Sequence, residues 1–299
     1  MKHHNHIRFF SSLVLLVLFI SANQVFAQQQ MEIGMSQYFR NRLTWNSAYT
    51  GADGNRIYAM QNRSWGGFDG APVLVSLSGE MNFGKNSAAG VQMISDKSGV
   101  LNRTHGLVNY AYKVQFSQDQ VLRLGVALSF NAERLDAGLL NGNIDPVIAN
   151  YANNKFQFDG NFGAVYQVGD LDVGVSFNRI GNNLRKVTND NANIAIAQMG
   201  FNYRMSLTAD EKVLMRTLAM CRLYKETEPI FDIGAEFAYN ELIHIMAVYQ
   251  TVGNVRAGAG IRKSGLGELN FFYNTNSRIS NNASQQYEIG AGIYLKKRN

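Results

Sequence analysis

The feature that most constrains this chain is a two-residue alternation of apolar and polar side chains that recurs along it. In Val73–Phe83 the apolar side chains share one face with Gly79, the polar ones share the other, and Leu74 is the one exception. Because successive side chains of a β-strand point to opposite faces, this pattern predicts a strand with one apolar and one polar wall. The apolar wall faces either a protein core or lipid, and the rest of the chain decides between them.

Fourteen runs of this kind follow one another from residue 56 onward, most of them nine to thirteen residues long. A tilted membrane strand needs about 9–11 residues, whereas a strand of a soluble sandwich usually has about five or six. The polar faces repeatedly carry Arg, Asp, Glu and Lys, which suits a polar interior. The first run, residues 56–65, is weakly patterned. The ninth, residues 213–224, is ambiguous, because Arg216 and Arg222 share a face with Leu218 and Met220.

The connections between the runs also alternate. They are short after the even-numbered runs, as in GKNS, SQDQ and TADE, and longer or richer in special residues after most odd-numbered ones. Tight turns at one rim and long loops at the other are typical of an outer-membrane barrel with periplasmic turns. We therefore predict an all-β fold: a transmembrane outer-membrane β-barrel of about 14 antiparallel strands over residues 56–299. An N-terminal luminal or plug-like segment, residues 28–55, precedes it.

The first residues predict export. A basic start is followed by a twelve-residue apolar stretch and a small-residue site with Val25 and Ala27, which is the pattern of a secretory signal peptide. Twelve apolar residues are too few for a helix that spans a membrane, which needs about twenty. We predict a signal peptide over residues 1–27, cleaved after Ala27, and localisation in the outer membrane.

Composition excludes several other classes of protein. Without Lys2 and Arg8 the formal net charge falls from +6 to +4, a mild excess that gives no reason to expect nucleic acid as a partner. Cys221 is the single cysteine, so an intrachain disulfide and a thiolate metal site are both excluded. Three prolines against 28 glycines suit continuous β-ladders.

No set of residues predicts catalysis. Residues 79–85, GEMNFGK, match most of a phosphate-binding loop, but Asn86 replaces the required hydroxyl residue and no helix is predicted to follow. His105 and His244 lie on the fourth and eleventh runs, across the barrel from each other, so they cannot share a metal ion. Either one can in principle join Ser and Asp as in a membrane hydrolase, although a polar position lining the lumen is the commoner role. We predict no enzyme activity, no catalytic residue, no cofactor and no metal site.

Two sequence blocks carry a family resemblance. Residues 35–51, MSQYFRNRLTWNSAYTG, resemble the opening of the PorP/SprF family, SQY…NP…NPAY-G, and residues 63–72, RSWGGFDGAP, resemble its R-x-W-x-G-F-D-G-A-P signature. ISDKSG at residues 94–99 resembles its ND-x-x-G segment, and the similarity continues to the final EIGAGIY. Arg42 and Ser47 stand where the family usually has proline, which predicts a looser backbone there.

The resemblance implies a non-enzymatic outer-membrane barrel of the type IX secretion and gliding motility machinery of Bacteroidetes. Such proteins take part in the export or surface attachment of adhesin-type proteins through their C-terminal domains. The implied partners are outer-membrane lipid, the C-terminal domain of a secreted adhesin, and other type IX secretion components in the periplasm or outer membrane. The alternative is an outer-membrane transporter of small hydrophobic molecules with an N-terminal hatch, which predicts an apolar pocket under the hatch. The polar inner faces favour the first hypothesis.

Two groups of residues are the candidate sites. At the first extracellular turn, partner binding or a place at the rim is predicted for Trp65, Phe68 and Asp69. The predicted plug segment contributes Tyr38, Trp45, Asn46 and Tyr49.

Overall fold

The computed structural model describes residues 35–64, 70–135, 155–181, 196–224, 228–276 and 286–295. Within these ranges, fourteen β-strands form one closed antiparallel barrel, so the predicted all-β barrel of about 14 strands is confirmed. Among these residues no helix is both long and apolar enough to cross a membrane. The strands are β1 (Arg56–Ser64), β2 (Val73–Phe83), β3 (Ser87–Ser98), β4 (Leu101–Gln115), β5 (Gln120–Leu135), β6 (Lys155–Val168), β7 (Leu171–Phe177), β8 (Ala197–Ser206), β9 (Val213–Leu223), β10 (Ile230–Tyr239), β11 (Ile243–Gln250), β12 (Asn254–Lys263), β13 (Gly267–Asn276) and β14 (Gln286–Tyr294).

The barrel closes between its first and last strands. Each strand pairs with its neighbours in sequence, and β1 pairs with β14 from Arg56 opposite Tyr294 to Ser64 opposite Gln286. Closure removes both sheet edges, so the ladders satisfy backbone groups that lipid cannot.

The wall is apolar outside and polar inside. On β5, for example, the lipid-facing Leu128 is 56% exposed while the neighbouring Ser129, which points inward, is 0% exposed. Aromatic rings also gather on the outer wall, with Phe156 and Phe158 at 4.8 Å and Phe83 and Tyr110 at 6.1 Å between ring centroids. An apolar outer band with aromatic residues near its edges is the surface that a lipid bilayer requires.

The third run is longer than its alternation predicts. The pattern ends near residue 95 and suggests a long connection, but β3 continues to Ser98 and reaches β4 through Gly99 and Val100 alone. Arg103 lies 3.7 Å from Asp96 and 3.5 Å from Glu133, so the inner face stays polar and paired here. The outer face also becomes polar, with Ser95 and Lys97. A strand that is polar on both faces loses the alternation by which it is recognised in a sequence.

Candidate functional site inside the barrel

The interior of the barrel holds residues 35–54, which we call the luminal segment. It contains three short 3₁₀ helices, Met35–Gln37, Arg42–Thr44 and Ser47–Tyr49. Among the described residues, every backbone–backbone hydrogen bond of this segment joins two of its own residues. Its hydrogen bonds to the wall involve at least one side chain, and they reach strands on all sides of the barrel.

The first part of the luminal segment is anchored by polar side chains. The Tyr38 hydroxyl donates to Asp232 Oδ2 at 3.1 Å, and Asp232 also accepts two hydrogen bonds from Arg222 at 2.7 and 2.8 Å. The Gln37 amide donates to the carboxylate of Glu288 on β14. These contacts place the start of the segment in the part of the lumen that lies between strands β9 and β10 on one side and strand β14 on the other.

Arg40 binds a pair of buried wall carboxylates. Its guanidinium forms an ion pair with Glu236 of β10 and lies 3.7 Å from Glu268 of β13, and the carboxylate-bearing side chains of both acids are 1% exposed. Arg216 of β9 approaches Glu236 at 3.6 Å. Buried carboxylates are stable only when cations and donors compensate them. Arg40 therefore adds a cation from the segment to the carboxylates and the arginine that the wall supplies.

A second group of charges surrounds Arg42. It lies 2.6 Å from Asp53 within the segment and 3.1 Å from Asp172 on β7. Arg56, at the start of β1, lies 3.5 Å from Asp53 and 2.8 Å from Glu80 of β2. Burial alone would favour the neutral acid, but the guanidinium groups of Arg42 and Arg56 hold the pKa of Asp53 well below its usual range.

Four inward-facing glycines form a flat surface under residues 45–48, which we call the glycine seat. They occupy neighbouring strands β5 to β8 and form two directly opposed pairs: Gly125 with Gly163, and Gly174 with Gly200. A Cβ atom at Gly125 would lie 2.3 Å from the backbone nitrogen of Ala48, and one at Gly174 or Gly200 would lie 2.9 Å from the Trp45 ring. Only glycine leaves room for the segment to approach the wall this closely.

Side-chain hydrogen bonds fix the segment on this seat. The Asn46 amide donates to the carbonyl of Val175 at 2.9 Å and to that of Ala164 at 3.3 Å. The Ser176 hydroxyl donates to the carbonyl of Trp45 at 2.8 Å. Asn46 Oδ1 accepts from the amide of Ala48 at 2.9 Å and caps the third 3₁₀ helix, so one side chain both orders the segment and binds the wall.

An apolar cluster lies inside the polar lumen, between the segment and the wall. Its members from the segment include four aromatic residues, and its members from the wall come from β6, β9, β11 and β13. They are Tyr38, Phe39, Trp45, Ala48 and Tyr49 from the segment, and Val165, Leu218, Met220, Met246, Val248 and Phe272 from the wall.

The structure brings the predicted segment residues together. Tyr38, Trp45, Asn46 and Tyr49 all lie inside the barrel, with 1–3% of their surfaces exposed. Trp45 and Tyr49 are in ring contact at 5.2 Å between centroids. By contrast, Trp65, Phe68 and Asp69 lie outside the described residues, so their place at the rim stays a prediction.

The two histidines lie on separate strands and hydrogen-bond to amides. His105 on β4 pairs with Asn131, and His244 on β11 pairs with Asn270. Within the described ranges, no group of three or more His, Cys, Asp or Glu residues is arranged to hold a metal ion.

Sequence reasoning missed the glycine seat and the wall side of the apolar cluster. A signal for both was present. Glycine recurs at inward positions of four successive runs, and glycine inside a strand indicates close approach of another group. The ambiguity of the ninth run had a real cause, because Leu218 and Met220 do point inward and pack against the segment.

A closed fourteen-stranded barrel, apolar outside, polar inside and holding its own N-terminal segment, defines this protein as an outer-membrane β-barrel protein. The chain belongs to the family of type IX secretion system membrane proteins PorP/SprF, whose model matches residues 27–296. The family resemblance stated from the sequence is thus confirmed.

Solved structures show the same fold. Omp33 of Acinetobacter baumannii is similar with a TM-score of 0.50 and 8% identity, over 81% of this chain and 97% of that one. The toluene transporter TodX of P. putida is similar with a TM-score of 0.51 and 10% identity, over 86% of this chain and 95% of that one. At such identities the likeness concerns the fold alone. No curated protein sequence matches the chain.

Proposed function

We propose that this protein is a non-enzymatic component of the type IX secretion and gliding machinery. In this role it takes part in the export or surface attachment of adhesin-type proteins through their C-terminal domains. Family membership over residues 27–296 is the observation that carries the proposal. The protein reaches the outer membrane after cleavage of its signal peptide behind Ala27. There it meets lipid, the adhesin domain and other secretion components of the periplasm or outer membrane.

The interior supports this function over transport of small hydrophobic molecules. A transporter needs apolar luminal surface for its cargo. Here inward apolar side chains such as Leu218, Met246 and Phe272 form one buried cluster with aromatic side chains of the luminal segment. This apolar cluster of the lumen is therefore occupied by the protein's own segment.

Affinity purification from the native membrane tests the proposal. The full-length barrel is solubilised in mild detergent, captured through a tag, and its co-purifying molecules are identified. We expect adhesin C-terminal domains or periplasmic secretion components. A barrel that carries only a small hydrophobic compound would overturn the proposal in favour of the transporter.

A variant pair tests the rim residues in the same experiment. We propose that Trp65, Phe68 and Asp69 contact the partner, so Trp65→Ala with Phe68→Ala should reduce its recovery about tenfold, the effect of losing about 1.4 kcal/mol. Phe116→Ala is the matched control, because Phe116 is an exposed aromatic at the opposite rim, beyond the end of β4. Undiminished recovery with the rim variant would refute the rim assignment and leave the proposed function standing.

A further inference from the structure

We propose that the inner wall of the barrel is a binding site for a basic and aromatic polypeptide segment, and that the luminal segment is its tethered occupant. A segment of similar chemistry from an exported partner then binds the same site in exchange. The inference deepens the proposed function and rests on it for the identity of the competitor.

The luminal segment is built like a ligand rather than like a part of the wall. Its backbone–backbone hydrogen bonds are internal among the described residues, as in Asn41 to Gln37 at 2.7 Å and Tyr49 to Asn46 at 3.1 Å. All fourteen strands already pair with each other. Exchange of the segment therefore breaks side-chain contacts and leaves every ladder of the barrel intact.

The wall supplies two subsites for guanidinium groups. Glu236 and Glu268 together hold Arg40, and Asp172 holds Arg42 at 3.1 Å. Each of these two buried carboxylates also faces a wall arginine: Arg216 lies 3.6 Å from Glu236, and Arg56 lies 3.8 Å from Glu268. Arg40 adds a further cation to this pair of carboxylates, and buried carboxylates need such compensation. The planar fork of arginine suits such pairs better than the point charge of lysine. The wall thus selects a segment with two arginines spaced as Arg40 and Arg42 are.

The glycine seat supplies a subsite for an aromatic residue followed by an amide. The Trp45 ring lies against Gly174 and Gly200, and the Asn46 side chain fills the space above Gly163. Asn46 also donates to carbonyl groups of β6 and β7, which are part of the wall and remain available to any amide placed there. Recognition therefore combines charged subsites on β7, β10 and β13 with the shape of the glycine seat on β5 to β8.

Tethering explains why the occupant is present in the isolated protein. A segment attached to β1 has an effective concentration in the millimolar range, as is usual for short tethers. A competitor gains access when the tethered contacts are weakened. The site is thus measurable in the full chain without removing the segment.

Binding of a peptide to the purified full-length protein in detergent tests the inference. The probe is a fluorescently labelled synthetic peptide of residues 35–54, and fluorescence anisotropy reports its binding. We expect weak binding to the wild type and at least tenfold tighter binding to Arg40→Gln, in which the tethered segment has lost its hold on Glu236. Trp45→Ala is a second variant, which empties the subsite at the glycine seat. Heat-modifiable mobility on gels shows which variants are folded barrels.

Matched changes identify the subsite. The double variant Arg40→Gln with Glu236→Gln should lose the tenfold gain in affinity for the peptide. A peptide that itself carries the Arg40→Gln change should bind the Arg40→Gln protein no more tightly than it binds the wild-type protein. Equally weak binding to wild type and to both folded single variants would overturn the proposal and make the segment a fixed part of the fold. That failure is distinct from failure of the proposed function, which is measured by recovery of C-terminal domains from membranes.

Discussion

Arg222 of β9 and Asp232 of β10 form a bidentate ion pair across neighbouring strands: Nε donates to Oδ2 at 2.7 Å and Nη2 donates to Oδ1 at 2.8 Å. Both side chains are 0% exposed. The Tyr38 hydroxyl adds a hydrogen bond to the same carboxylate, so this pair connects the wall to the luminal segment. A pair that is fully removed from water is sensitive to the loss of one partner, because the remaining charge stays buried.

Asp232→Ala should therefore destabilise the barrel strongly, by about 3–5 kcal/mol, the usual cost of leaving one buried charge of a pair alone. The measurement is the free energy of unfolding in urea, with the protein inserted in lipid vesicles. Glu241→Ala is the control, since the Glu241 side chain is 47% exposed and lies 3.6 Å from both Arg204 and Arg262. Ion pairs of an exposed side chain contribute about 1 kcal/mol or less each. Equal effects of the two changes would contradict the buried role of Asp232.

Gly125→Ala should displace the luminal segment from the glycine seat. The new methyl group would lie 2.3 Å from backbone atoms of Ser47 and Ala48, which cannot rotate away as a side-chain end can. Overpacking of this kind costs about 1–3 kcal/mol. The expected result is faster hydrogen exchange in residues 42–53 together with lower stability. Gly160→Ala on the adjacent strand is the control, because its methyl group would meet only the carbonyl of Ala127 at 3.9 Å.

Leu128→Arg tests which face of the wall meets lipid. Leu128 points outward near the middle of β5, and an arginine at the bilayer midplane costs about 2–4 kcal/mol in a barrel. Phe116→Arg, at the rim, should cost only about 0–1 kcal/mol by the same depth dependence. Both values come from unfolding titrations in vesicles. A larger cost at Phe116 would mean that the lipid band is placed at the wrong height.

The stabilising charge of Asp53 should be lost in acid. Arg42 and Arg56 depress its pKa in the folded protein, so the stability it contributes is fully present above the unfolded pKa of about 3.9 and declines as the pH falls below it. The difference in unfolding free energy between wild type and Asp53→Asn should be constant from pH 8 to pH 5, as this linkage requires, and should shrink below about pH 4. A difference that grows in acid would show that Asp53 is not held as a carboxylate.

Much of the barrel is predictable from the sequence because lipid enforces the alternation. Val73–Phe83 has the same bounds in the sequence pattern and in β2, and the alternation predicts the correct face for outward residues such as Phe158 and Ile245. The prediction weakens where that constraint ends. Beyond the lipid band, β3 is polar on both faces, so its last residues carry no alternation although they remain paired with β4.

The interior was harder to predict than the wall. Tyr38, Trp45, Asn46 and Tyr49 stand out in the segment by residue type, but their partners are separated from them by more than a hundred positions in several cases. In the sequence, Asp232 is one of many polar residues on the inward faces of the strands, and nothing near it indicates that the fold brings Tyr38 into contact with it. The glycines of the seat carry no side chain, so their role depends on what lies above them.

The position of the luminal segment in the chain also constrains how the protein is assembled. The segment leads directly into β1, and β1 completes the barrel by pairing with β14, the last strand to be made. Contacts between such distant parts of a chain form late and slowly. Once this seam has closed, the segment can move in or out only along the barrel axis. We therefore expect the segment to dock most easily while the sheet is still open, when β5 to β8 can contact it before β1 pairs with β14.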